Sequence, residues 1–141
     1  MKRILVVSND PTDVERITQV LKSDSATYTV ATASDGYETG LQVATFKPDV
    51  IVADVTTARC DGCELCRRVK SSPETRHIKV LGITGPADVS TKNKILSCGA
   101  DDYVTKPLQN KELKAHVRTL VGFTRRKEDV PSPQKRAPGT E

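Results

Sequence analysis

No tryptophan and only two phenylalanines occur in these 141 residues, so the chain has no obvious aromatic platform on which bases could stack. The excess of one sign of charge is small too. The formal net charge is +4, and the segment from Thr124 to Glu141, with five basic residues against three acidic ones, carries +2 of it. The rest is close to neutral and leaves no electrostatic footprint for nucleic acid. Long apolar runs are missing as well. The run behind Met1-Lys2-Arg3 covers only Ile4 to Val7, too short for the core of a signal peptide, and no stretch could span a membrane. The expected location is therefore the cytoplasm, and the four cysteines are expected there as reduced thiols. There is no internal repeat, and the length suits one domain with a proper core.

What is there is an alternation of strand and helix patterns. Arg3 to Val7 reads as a strand ending in Ser8-Asn9-Asp10. Pro11 suits the first turn of a helix capped by Asn9 or Asp10, with Val14, Ile17, Val20 and Leu21 on one face. Tyr28 to Ala33 is a second strand. Ser34 or Asp35 caps a second helix reaching about Phe46, with Leu41, Val43 and Ala44 expected inward, and Lys47-Pro48 stops it. Val50 to Ala53 is a third strand. Gly62 to Lys70 is a helix presenting Leu65, Cys66 and Val69. Ile78 to Ile83 is a fourth strand closed by Thr84-Gly85. Ala87 to Ser97 is a helix with few large apolar residues, and so loosely anchored. Tyr103-Val104 is a short fifth strand, and Glu112 to about Phe123 is the last helix, with Leu113, Val117, Leu120 and Val121 inward. Five such units predict an α/β fold: a doubly wound, five-stranded parallel sheet with helices on both faces. Residues 1–123 form this domain, and 124–141, with three prolines, read as a basic tail or linker.

The third strand is the centre of the pattern. Val50-Ile51-Val52-Ala53 is a continuous, β-branched apolar run, as expected of a strand buried on both faces, and it ends in a carboxylate, Asp54. In open α/β sheets functional groups gather at the carboxyl ends of the strands. Those ends hold Ser8-Asn9-Asp10, Asp54, Thr84 and Lys106. In a sheet ordered 2-1-3-4-5 they converge on one crevice between strands one and three. An acid, a hydroxyl and an ammonium around one pocket suit a phosphoryl group, with Asp54 as acceptor and Thr84 and Lys106 holding its oxygens. The competing readings make Asp54 a helix cap or turn residue and Thr84 an ordinary strand-end β-branched residue.

The chain resembles the receiver domains of bacterial two-component response regulators. The likeness is carried over residues 1 to about 123 by Ile4-Leu5-Val6-Val7, by Asp54 followed by Asp61-Gly62, by Thr84, and above all by Gly99-Ala100-Asp101-Asp102-Tyr103-Val104-Thr105-Lys106-Pro107-Leu108. The strand order 2-1-3-4-5 comes from this resemblance rather than from the residue pattern. The resemblance implies that Asp54 is the phosphoacceptor, that the Thr56 carbonyl is a backbone ligand for Mg²⁺, and that Thr84 and Tyr103 are the switch hydroxyl and switch aromatic. Lys106 matches the family's lysine, and its bond to Pro107 is typically cis. A histidine kinase or phosphotransfer protein is the implied donor. A downstream effector protein would read the face formed by helix four, strand five and helix five; a homodimer is left open. No enzymatic activity is implied beyond self-catalysed aspartyl phosphorylation and dephosphorylation.

The chain departs from the family at the acidic pair that holds Mg²⁺, which falls on Ser8 and Asn9. Asp10 is one place late and is better placed to cap the first helix. A weak Mg²⁺ site from Asn9, Asp10, Asp54 and Thr56 is therefore expected, since charge count sets the affinity of a hard cation. The alternative is a pseudo-receiver read without phosphorylation. The usual proline in the loop after the acceptor is Ala58 here, and Tyr103 can equally be a static core aromatic. Cys60, Cys63 and Cys66, spaced like part of an iron–sulfur run, are read as small buried hydrophobes, with a thiol or metal sensor as the competing reading. Cys98 stands where a small residue precedes Gly99. His77 and His116 have no partner at ligand spacing and read as surface residues.

Overall fold

The computed structural model describes residues 2–23, 28–54, 62–85 and 89–123, with the side chains of 62, 63, 89–92 and 123 outside the description. The elements run β1 (Lys2–Val7), α1 (Pro11–Lys22), β2 (Tyr28–Ala33), α2 (Gly36–Thr45), β3 (Val50–Asp54), α3 (Gly62–Ser71), β4 (Lys79–Thr84), α4 (Val89–Ser97), β5 (Asp102–Thr105) and α5 (Asn110–Phe123). All strand pairs are parallel, in the order β2-β1-β3-β4-β5, as expected. β3, in the middle, is buried along its whole length, which explains its unbroken apolar run.

Alternate strand residues feed two cores. Ile4, Val6, Val50, Val52, Leu81 and Ile83 face Ile17 and Leu21 of α1 and Leu113 and Val117 of α5. Leu5, Val7, Ile51, Ala53 and Val80 face Leu65, Cys66 and Val69 of α3 and Ile95 of α4. The period of two along each strand makes this division, and each helix joins the core on whose side it crosses.

The helices begin where local chemistry satisfies their first amides. Asp10 caps α1, its Oδ1 accepting from Thr12 N at 2.9 Å, and Pro11 follows in the first turn, where a missing N–H costs nothing. Asp35, rather than Ser34, caps α2 through Glu38 N at 2.8 Å. In α2 the expectation fails for Leu41 and Ala44, both exposed. Thr39 is the buried residue and Val43 packs half-buried beside the core, so the inward line is 39 and 43, and Leu41 falls on the opposite side, 48% exposed.

The amino edge of the sheet is pinned by two acids. Asp49, fully buried, accepts Arg3 N at 2.8 Å. Asp101 accepts Val80 N at 2.8 Å and the Lys70 ammonium at 2.9 Å. Next to it Gly99 has φ +122, a conformation L side chains rarely adopt, and lies against Lys70 and Cys66 of α3.

Two cysteines are described. Cys66 is a free thiol with no exposed surface, the packing role expected of it. Cys98 is disulfide-bonded, which corrects the expectation of four reduced thiols. That expectation came from the compartment alone, whereas bridging depends on which sulfurs the fold brings together. Cys60 and the Cys63 side chain lie outside the described residues. Peptide mapping without reduction is expected to recover Cys98 in a disulfide-linked peptide and Cys66 as a thiol that alkylates only after denaturation. Ready alkylation of Cys98 in the native protein would contradict the bridge.

Candidate functional site

The carboxyl ends of β1, β3, β4 and β5 bring the expected groups to one edge of the sheet. Just past β1 lies Ser8, 1% exposed, whose N–H donates to Ala33 O at 3.0 Å and whose Oγ accepts from Asp10 N at 3.1 Å. β3 ends at Asp54 and β4 at Thr84, both with no exposed surface. Lys106 follows β5, and its backbone N donates to Thr84 O at 2.9 Å, which carries the β4–β5 pairing one residue past the strand. The ammonium thereby reaches inward. Its Nζ lies 2.9 Å from Asp54 Oδ2. This contact is a close ion pair.

Lys106 Nζ also donates to Asp13 Oδ2 at 2.9 Å. One ammonium thus stands between two carboxylates. Burial pulls Lys106 toward deprotonation, but the hydrogen bonds and charges of Asp13 and Asp54 outweigh it and hold its pKa above the ordinary lysine value. It is a cation throughout the neutral range.

The other expected residues fall as follows. The Lys106–Pro107 bond is cis. The Thr84 hydroxyl makes only a long contact, 3.5 Å, to Val104 O, which leaves it close to ready for another acceptor. Asn9 is exposed, and the Asp10 carboxylate is engaged in capping α1. Tyr103 is half-buried on β5, an edge strand, and its N–H donates to Asp102 Oδ1 at 2.8 Å. Thr56 lies outside the described residues, as does the whole segment 55–61.

Two groups escaped the reading of the chain. Asp13 is the larger omission: its sequence signal was only an acid in the first turn of a helix, and its partner lies 93 residues away. The second is His116, which is not a plain surface residue. It is half-buried, with Nδ1 2.6 Å from Asp102 Oδ2 and Nε2 3.9 Å from Glu112 Oε2. The contact with Glu112 is a one-turn spacing, but the closer one with Asp102 crosses from α5 to β5, which residue spacing cannot reveal. Among the described residues, no group of three or more histidines, cysteines or acids could hold a metal ion, and no helix is long and apolar enough to cross a membrane.

Residues 4–118 match the family described as response regulator receiver domain. The chain is 37% identical over 127 residues to the response regulator MprA of Mycobacterium ulcerans, covering 90% of this chain and 53% of that protein. It is 32% identical over 135 residues to the DNA-binding dual master transcriptional regulator RpaA of Synechocystis, covering 96% and 54%. The chain thus spans about half the length of the curated relatives it matches. Among solved structures, the signal receiver domain of a signal transduction histidine kinase from Syntrophus aciditrophicus superposes with a TM-score of 0.80 at 32% identity, covering 93% of this chain and 98% of that one. The signal receiver domain of a DNA binding response regulator from Colwellia psychrerythraea gives 0.79 at 29%, covering 86% and 99%.

Proposed function

Because the chain belongs to the family of response regulator receiver domains, we propose that it works in two-component signalling by accepting a phosphoryl group on Asp54. The donor is a phosphohistidine of a histidine kinase or phosphotransfer protein. An Asp54 oxygen attacks phosphorus, the phosphorus–nitrogen bond breaks, and the imidazole leaves with the bonding pair and takes up a proton. The product is an acyl phosphate on Asp54. The observation that carries this reading is the buried Asp54 carboxylate 2.9 Å from the Lys106 ammonium, with Thr84 buried at the next strand end. Lys106 neutralises oxygens of the arriving group, and the Thr84 hydroxyl, held only by a long contact, turns to donate to them.

The donor set fits Mg²⁺ in kind, since Asp54 offers a carboxylate and Asn9 an amide oxygen, both hard ligands. Bound there, with the Thr56 carbonyl as a further ligand and Asp10 as a weaker candidate, the ion would neutralise negative charge between acceptor and donor. With Ser8 and Asn9 in place of two acids, its affinity is low. The signal leaves through the surface of α4, β5 and α5, where an effector protein docks, with Thr84 at the end of β4 and Tyr103 on β5 as the switch residues of this reading.

The test is incubation with acetyl phosphate and Mg²⁺, read by intact mass. Slow, Mg²⁺-dependent gain of one phosphoryl group is expected, and Asp54→Ala is expected to abolish it. Labelling that survives Asp54→Ala would overturn the assignment. Complete absence of labelling, with the partner still bound, would favour the pseudo-receiver, a module read without phosphorylation.

A further inference from the structure

Helix α1 grips the segment after β5 at two points. Asp13 and Arg16 are three residues apart and share one helix face. Asp13 Oδ2 accepts from Lys106 Nζ at 2.9 Å, and Arg16 Nη2 donates to Leu108 O at 2.6 Å. An anion on the helix holds a cation of the segment, and a cation on the helix holds a carbonyl two residues later. The opposite chemistry of the two contacts fixes both position and direction, because sliding the segment along α1 would set Lys106 against Arg16. Leu108 is buried in the core shared by α1 and α5, so the far end of the grip is anchored in apolar packing.

We propose that Asp13 and Arg16 are positioning residues that clamp the Lys106–Leu108 segment to α1 and hold the Lys106 ammonium against Asp54. The strand end that would ordinarily supply negative charge offers Ser8 and Asn9, both neutral. Among the described residues, the carboxylates paired with Lys106 are Asp54 and Asp13. Without Asp13 the flexible lysine stem loses one of the two carboxylates that pair with it, and the one that remains is the group that must itself react. Arg16 acts further back, by fixing the backbone from which that stem starts. The role in phosphoryl transfer rests on the reading of Asp54 as acceptor, but the clamp is a property of the resting protein and is tested there.

The experiment follows the side-chain ammonium of Lys106 by ¹H–¹⁵N NMR in the whole chain, the signal being assigned by its loss in Lys106→Met. An ammonium held by two carboxylates exchanges its protons slowly enough to be seen near neutral pH. Asp13→Asn and Arg16→Ala are each expected to broaden or erase the signal, and Asp13→Glu to restore it in part. Initial labelling of Asp54 from acetyl phosphate is expected to fall about 10-fold or more in Asp13→Asn, the worth of one hydrogen bond between charged groups. Backbone amide protection in β1 and β3 is expected to persist in all three variants. An ammonium signal unchanged in both Asp13→Asn and Arg16→Ala would overturn the clamp, whether or not the protein is phosphorylated. Loss of the signal with undiminished labelling would overturn the positioning role.

Discussion

Replacing Ser8 and Asn9 together by aspartate is expected to raise Mg²⁺ affinity by at least ~10-fold, equivalent to ~1.4 kcal/mol, and to speed the labelling of Asp54 with it. Position 8 has almost no exposed surface, so a carboxylate there is costly unless a cation meets it. The Lys106 ammonium already serves Asp13 and Asp54. The added charge should therefore lower stability in metal-free buffer and make the melting temperature rise with Mg²⁺ concentration, as binding to the folded state requires. Asp54→Ala in the double variant should erase the gain in labelling, whatever metal binding remains. If the natural chain already labels as fast as the double variant, neutral oxygens suffice. If the double variant never labels, even where Mg²⁺ stabilises it, Asp54 is not the acceptor.

The second large effect concerns α4. Of its residues with described side chains, Ile95 alone is buried, while Asn93, Lys94, Leu96 and Ser97 are exposed. Ile95 sits directly on the backbone of β4: a Cβ built at Gly82 would lie 2.9 Å from Ile95 Cδ1. The missing side chain at 82 is thus the seat for the side chain at 95. Ile95→Ala removes a group whose burial elsewhere is worth about 2–5 kcal/mol. Because little else described on α4 is buried, the helix is expected to come away by itself rather than weaken the whole domain. Amide protection over 95–97 should fall by roughly 30-fold or more, corresponding to about 2 kcal/mol, while that of β1 and β3 stays close to its original level. An even loss of protection through the sheet would show α4 to be integral to the domain.

Much of this was legible in the chain because it depends on short stretches. Val50 to Asp54 announces a strand buried on both faces and ending in an acid, and the structure has it so. Asp54, Thr84 and Lys106 each stand at a strand end, so the parallel order alone brings them to one edge. The strand order itself came from family likeness, since apolar runs do not say which neighbour a strand chooses. What the chain concealed depends on pairs distant in sequence. Asp13 looks like an ordinary first-turn acid until Lys106 arrives beside it, and His116 looks like surface until β5 brings Asp102. Leu41 misled for another reason. Over the ten residues of α2 apolar side chains are too few to define a phase, and Thr39, whose Oγ1 is satisfied by Asp35 O at 2.7 Å, takes the inward place instead.

The hydrogen bond from Tyr103 N to Asp102 Oδ1 has a consequence for self-association. β5 is the edge of the sheet and only four residues long. An uncovered edge invites a strand from another molecule to extend the sheet. Here the Tyr103 N–H is already taken by the neighbouring carboxylate, whose second oxygen is held by His116. Sheet continuation across this rim would have to break that arrangement first. Any second copy or effector that docks on this side must therefore be recognised through side chains of α4, β5 and α5 rather than by adding a strand.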